Sequence, residues 1–201
     1  MEVVLASSNH GKIKEFKEIL GNVGLNIIPQ KEFSIESADE TGLTFVENAI
    51  LKARHASIQA KLPAIADDSG LQVDFLKGAP GIYSARYAGE KATDDENNNY
   101  LLKRLKRVPK ALRTARYQTV IVFLKHFADP KPIICEAHWE GHIATDNQGD
   151  GGFGYDSLFI PLGQTLSAAE MKMNEKNKVS HRARALSKLL DYFADPQDTL
   201  W

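Results

Sequence analysis

Residues 3–28 constrain the fold more than any other stretch of the chain. Val3 to Ala6 is an apolar, β-branched run without alternation, the pattern of a short buried strand. Ser7, Ser8, Asn9, His10 and Gly11 supply turn chemistry. A helix is predicted from Lys12 to Leu20, with Ile13, Phe16, Ile19 and Leu20 on one face, and it stops at Gly21. Leu25 to Ile28 reads as a second strand ended by Pro29. A strand, loop, helix and strand in succession specify an α/β layered fold.

The rest of the chain extends that plan. An acidic connection, Ser34 to Gly42, leads into a helix over Thr44 to Ala60 with Phe45, Ala49 and Ala53 inward. Pro63 to Ala66 is a short strand running into Asp67, Asp68, Ser69 and Gly70, and Leu71 to Phe75 continues extended. Gly78 to Gly81 forms a loop and Asp94 to Lys106 a polar helix. Arg116 to Lys125 and Ile133 to Ala144 form an antiparallel hairpin through Asp129 to Pro132. A glycine-rich loop, Gly149 to Gly154, precedes a strand at Ser157 to Ile160, and the last helix runs from Ser180 to Phe193. No repeat or linker divides the 201 residues, so residues 1–201 read as one mixed-sheet domain, the hairpin forming a second lobe.

Composition narrows the function. With 25 Lys and Arg against 26 Asp and Glu, the charge of −1 gives no global field to hold a nucleic-acid backbone. Phosphate must be met by a local site. The apolar runs are too short for a signal sequence or a membrane span, which makes the cytoplasm the expected location. Cys135, the single cysteine, sits between apolar neighbours and reads as a small core residue.

Four segments carry chemistry. In the first, Ser7 to Lys12 turns from a strand into a helix. Exposed N–H groups, the helix dipole and Lys12 suit a phosphate chain there. It is not a Walker loop, since Ala6 and Ile13 stand where glycine and Ser or Thr are needed. In the second, Asp67 and Asp68 end an apolar strand, where Asp68 suits Mg²⁺ binding or water activation; Glu36, Asp39 and Glu40 form a further acidic group. The plain alternative is an acidic turn. In the third, Gly149 to Asp156 matches G-x-G-x-x-G, but a strand follows where a dinucleotide site needs a helix. Its two aromatic rings suit a base better. In the fourth, Lys176, His181 and Arg182 surround the start of the last helix, where cations oppose the dipole and so point to a facing anion or acceptor; Ser180 is the N-cap. His138, Glu140 and His142 share one strand face, a zinc geometry or, more simply, a solvated stripe.

Taken together, these segments resemble the inosine triphosphate pyrophosphatase family in its bacterial form. The matching stretches are Ser7 to Lys12, Glu40 to Ala49, Ala66 to Gly70, Gly78 to Tyr87, Gly151 to Asp156 and Ser180 to Arg182. Ser157 departs from the pattern, where proline often follows. The resemblance implies an α/β fold of two lobes with the active site in a cleft, usually as a homodimer. It implies hydrolysis of inosine, deoxyinosine and xanthosine triphosphates to monophosphate and pyrophosphate with Mg²⁺. Asp68 would be the general base and, with Glu40, a metal ligand. Asn9 and Lys12 would grip the triphosphate and Ser69 would touch the substrate. Phe153, Gly154, Tyr155, Asp156, Lys176, His181 and Arg182 would bind the nucleoside.

Base choice has a physical account. Hypoxanthine and xanthine present a 6-keto acceptor where adenine presents a donor. Arg182 or a backbone N–H aimed there would be left unpaired by adenine, at about 1–3 kcal/mol. Two rival readings remain: a pyrophosphatase for modified pyrimidine nucleotides, and a nucleotide-binding regulator without turnover. The roles of Asp67, Lys52 and Arg86 are open at this level.

Overall fold

A computed structural model describes residues 1–21 and 24–194. Its six strands follow the order β2-β1-β3-β4-β5-β6 in one sheet. They are β1 (Glu2–Leu5), β2 (Asn26–Pro29), β3 (Ala64–Val73), β4 (Thr114–Leu124), β5 (Ile133–Ile143) and β6 (Phe159–Pro161). The helices are α1 (His10–Leu20), α2 (Phe45–Ala60), α3 (Asp94–Leu105), α4 (Met173–Val179) and α5 (His181–Ala194). β1 pairs in parallel with both β2 and β3, and β5 pairs antiparallel with β6. The sheet is therefore mixed, as the α/β reading requires.

The chain forms two compact units. The first holds residues 1–68, 119–137 and 182–201; the second holds 69–118 and 138–181. In the first, strand pleating sorts the core into two layers. Val3, Leu5, Ile65, Ile121 and Phe123 face Phe16 and Leu20 of α1 and Leu186 and Leu189 of α5. Their neighbours Val4, Ala6, Ala64, Ala66, Val120 and Val122 face Ala49, Ala53 and Ala56 of α2. This period-2 alternation, buried on both sides, explains why the strands read as continuous apolar runs. The second unit has its own core, where Leu71, Val73, Leu101, Leu105, Tyr117, Trp139 and Phe159 pack together.

Several expectations are refined. Asp67 to Gly70 is not a turn, because β3 continues through it to Val73. Five short elements among the described residues went unpredicted: α4 and the 3₁₀ turns at Gln30–Phe33, Asp74–Leu76, Gly81–Arg86 and Lys110–Leu112. Elements this short lack the residues to show a period. The expected hairpin is supported by adjacency of β4 and β5 and by the Ile143 N–H, which donates to the Arg113 carbonyl at 2.9 Å. Cys135 is buried in the first core. No described helix is long and apolar enough to cross a membrane.

Asp129 closes the connection between β4 and β5. Its carboxylate accepts from the backbone N–H groups of Lys125 (3.0 Å) and Lys131 (2.9 Å), and its carbonyl accepts from Arg54. Burial pushes this carboxyl up, yet the two backbone donors hold it below the usual aspartate range. Asp129→Ala is expected to cost about 1–3 kcal/mol of stability at neutral pH. Because the folded pKa is depressed, the charge-dependent part is fully present above the unfolded value of about 3.9 and is lost as pH falls through the folded value. Urea midpoints of wild type and variant should therefore converge below about pH 4.

Candidate active site

The pleat of β3 is what builds the first half of the site. Asp67 shares a side with Ile65, toward α1 and α5, and Asp68 shares a side with Ala66, toward α2. Each carboxylate consequently meets different cations. Continuing the register Val4↔Ala64 and Leu5↔Ile65 puts Asp67 level with Ser7, just past the carboxyl end of β1. The strand-end argument thus holds for β1, although β3 itself runs on.

The loop after β1 is ordered from within. Ser7 Oγ accepts from the Asn9 N–H at 3.2 Å, and Ser8 Oγ accepts from Gln30 at 3.2 Å. Asn9 caps α1: its Oδ1 accepts from the Lys12 N–H at 3.0 Å. The helical ladder begins with Ile13 N–H to the Asn9 carbonyl, so the amides of His10 and Gly11 lie ahead of it. Exposed His10 is the first helical residue. Lys12 Nζ stands 3.1 Å from Asp67 Oδ1. Burial holds its ammonium below the usual lysine range, opposed by Asp67.

On the α2 side, Lys52 Nζ donates to Asp68 Oδ1 at 2.6 Å and Glu40 Oε1 at 3.0 Å. Burial pulls the Lys52 ammonium down, but Asp68 and Glu40 hold it above the usual lysine range. Burial lifts the Asp68 carboxyl above the usual aspartate range, against the pull of Lys52. Asp68 Oδ2 is buried and makes no hydrogen bond among the described residues. The loop carrying Glu40 is pinned to the start of α2: Asn48 Oδ1 accepts from the Gly42 N–H (2.8 Å), and Glu47 accepts from the Leu43 N–H (2.8 Å). A Cβ on Gly42 would come 2.7 Å from Asn48 Oδ1, so only glycine passes there.

Two convergent carboxylates with one unbonded buried oxygen suit a hard cation. Among the described residues no three His, Cys, Asp or Glu side chains gather into a metal cage. Glu40 and Asp68, which both reach Lys52 Nζ, are compatible by their chemistry with Mg²⁺, a cation held by one or two carboxylates while substrate phosphates complete its shell. The strand trio offers no zinc site: His138 is exposed and Glu140 receives Arg116 at 2.8 Å, a solvated stripe.

The second unit places the remaining residues. Asp156 Oδ2 accepts from Lys176 Nζ at 2.7 Å and from the Phe153 N–H at 3.0 Å, while Tyr117 donates to Oδ1 at 3.3 Å. Lys176 Nζ also sits 4.7 Å from the Phe153 ring centroid. The Gly154 N–H donates to Asp94 at 2.6 Å. Gly152 is held at φ +72, where a Cβ would overlap Asp156. His181 is buried and stacks on Tyr117 (centroids 4.6 Å, planes 10° apart). Ser157 bonds Asn147 at 2.9 Å. One expectation changes. Tyr155 does not present its ring to solvent: it is buried in the second core, and its hydroxyl donates to the Ser84 carbonyl at 2.7 Å. Arg86 lies over Tyr83 and near Glu90 (3.8 Å). Ser69 is partly exposed within β3.

Arg182, at the start of α5, faces the anions that its unfavourable dipole position implied. Nε donates to Asp67 Oδ2 at 3.2 Å and Nη1 donates to Glu15 Oε2. Both are carboxylates of the protein, so the keto-reading role expected of Arg182 shares a guanidinium already committed at two nitrogens. Sequence reasoning missed Glu15 and left Lys52 open. The available signal was a charge on a core-facing position: Lys52 follows Ala49 by three residues and precedes Ala56 by four, and Glu15 adjoins the inward Phe16.

Comparison with known proteins identifies the family of the chain. The model of the Ham1 family matches residues 3–192. A dITP/XTP pyrophosphatase of Escherichia coli O157:H7 is 54% identical over 190 residues, covering 94% of this chain and 96% of the relative. One from Vibrio parahaemolyticus is 52% identical over 188 residues, 94% of each chain. The structure of a HAM1 protein from Coxiella burnetii superposes with a TM-score of 0.86 at 47% identity, over 94% of this chain and 96% of that one.

Lys176 and Asp156 form a pair in which each side chain is 4% exposed. Lys176→Met leaves a buried carboxylate without its cation and is expected to cost about 3–5 kcal/mol. A urea midpoint that does not move would show that Asp156 is solvated in the native state.

Proposed function

Since the chain belongs to the Ham1 family, we propose that it hydrolyses non-standard purine nucleoside triphosphates, dITP, ITP and XTP, to the monophosphate and pyrophosphate. The observation that carries the reading is the division of Asp67 and Asp68 between two sets of cations. It leaves one buried carboxylate oxygen beside a loop suited to phosphate.

Asp68 is the general base. It takes a proton from water as the water oxygen bonds to the α-phosphorus, and the bond from that phosphorus to the bridging oxygen breaks. The electron pair leaves with pyrophosphate, and the proton remains on Asp68 until solvent removes it. Lys52 fixes Asp68 by its Oδ1 and so directs Oδ2 toward the water. Lys12 and the first-turn amides of α1 neutralise charge on the departing phosphates. Glu40 and Asp68 would hold Mg²⁺, which when bound supplies further neutralisation of phosphate oxygens. Asn9 orders the loop, with Ser7, Ser8, His10 and Gly11 around it and Ser69 following Asp68.

Phe153, Gly154, Asp156, Lys176 and His181 form the nucleoside end, with Tyr155 supporting the loop from the core and Arg182 tying the start of α5 to Asp67. The cytoplasm, where nucleoside triphosphates are made, is the proposed location, and a homodimer the proposed assembly; sedimentation at twice the chain mass would support the latter.

Pyrophosphate release with Mg²⁺ tests the reading. Wild type should release pyrophosphate from dITP, ITP and XTP far faster than from ATP or GTP, and chelation should abolish turnover. Asp68→Asn should lose roughly 10²–10⁴-fold in kcat. Equal use of all purine nucleotides, release of single phosphates, or preference for modified pyrimidine nucleotides would overturn it.

A further inference from the structure

Glu15 is a buried carboxylate to which the reaction scheme above gives no task. It lies in the middle of α1, three residues after Lys12, and is 1% exposed. Glu15 Oε2 accepts from Arg182 Nη1, Arg182 Nε donates to Asp67 Oδ2, and Asp67 Oδ1 meets Lys12 Nζ. The four side chains form a line of alternating charge whose two ends are carried by one helix. Lys12 is the member that reaches solvent: its side chain is 18% exposed, against 0–2% for the others. The output of the line is thus the ammonium at the phosphate loop.

A buried guanidinium that loses one of two carboxylates must rely on the other. Without the charge of Glu15, Arg182 draws Asp67 toward itself, and Asp67 loosens its hold on Lys12. We propose that Glu15 is a positioning residue for triphosphate binding and cleavage: acting through Arg182 and Asp67, it sets where the Lys12 ammonium stands. The inference rests on the pyrophosphatase reading for its kinetic consequence but not for its geometry.

A double-mutant cycle tests it, using wild type, Glu15→Gln, Lys12→Ala and the double variant, each checked for folding by near-ultraviolet circular dichroism. Glu15→Gln should lower kcat/KM for dITP about tenfold in the wild-type background, since small misplacements at a reacting centre are costly. It should cost less than about twofold where Lys12 is already absent. Glu15→Asp, which keeps the charge, should recover most of the loss; Glu15→Ala, which also removes the charge, replaces Glu15→Gln in the cycle, with the same coupling expected, if that variant does not fold. A purely structural role predicts the same fold-loss in both backgrounds and no rescue by charge, and either result overturns the proposal, as does an unimpaired Glu15→Gln. Calorimetric binding of inorganic triphosphate across the same chains reads Lys12 without turnover. An inactive wild type would therefore sink the pyrophosphatase reading, while coupled triphosphate affinities would still decide the role of Glu15.

Discussion

Two adjacent aspartates in a buried strand are the constraint on which the rest of the structure depends. Taking a carboxylate out of water costs several kcal/mol unless a partner compensates it. Two side by side at one place would double that cost and add repulsion. The pleat separates them, sending Asp67 toward α1 and α5 and Asp68 toward α2. Each layer then has to bring its own cation: Lys12 and Arg182 on one side, Lys52 on the other. Residues 12, 52 and 182, remote in sequence, converge because a single strand presents charge on both faces. The first unit is organised around that need as much as around its apolar layers.

This explains which parts of the fold were legible in the sequence. The long helices were, because a period of 3.6 repeats several times across α1, α2 and α5; the caps that the structure shows at Thr44 of α2 and Thr93 of α3 went unread. The long strands β4 and β5 were too. The path of β3 was not. Read locally, Asp67 to Gly70 is turn chemistry, and nothing within ten residues reveals the cations that make an extended course tolerable. Gly70 adds to the misreading. It reads as a breaker, yet it allows close approach: a Cβ there would overlap the Gly81 carbonyl and come 2.8 Å from Ser84 Oγ.

The site was legible to a similar depth. Asn9, Lys12 and Asp68 declare themselves through the strand-to-helix turn and the polar break after an apolar run. Lys52 and Glu15 hide on core-facing helix positions, where a charge is usually a flaw and here is a partner. Tyr155 shows the opposite error. Its place in a glycine-rich loop suggested an exposed ring, but the Ser84 carbonyl satisfies its hydroxyl and so allows the whole side chain to be buried.

The two units also differ in the kind of interaction that fixes their functional groups, and the difference bears on selectivity. Around Asp67 and Asp68 the contacts are ion pairs, suited to the charge of a triphosphate and indifferent to which base it carries. Around Asp156 they are mixed: Oδ1 receives Tyr117, while Oδ2 receives both Lys176 and the Phe153 N–H. Gly152 admits no side chain against that carboxylate. Under the proposed function, in which this loop receives the base, a loop held this way would have few alternative hydrogen-bonding arrangements with which to accommodate a mismatched base edge. Rigidity then turns a single wrong donor into an unpaired one, at about 1–3 kcal/mol, whereas a flexible loop would relax and lose the discrimination. Under the proposed function, charge for the phosphates and stiffness for the base would be separate devices, so the second could be retuned without disturbing the chemistry performed by the first.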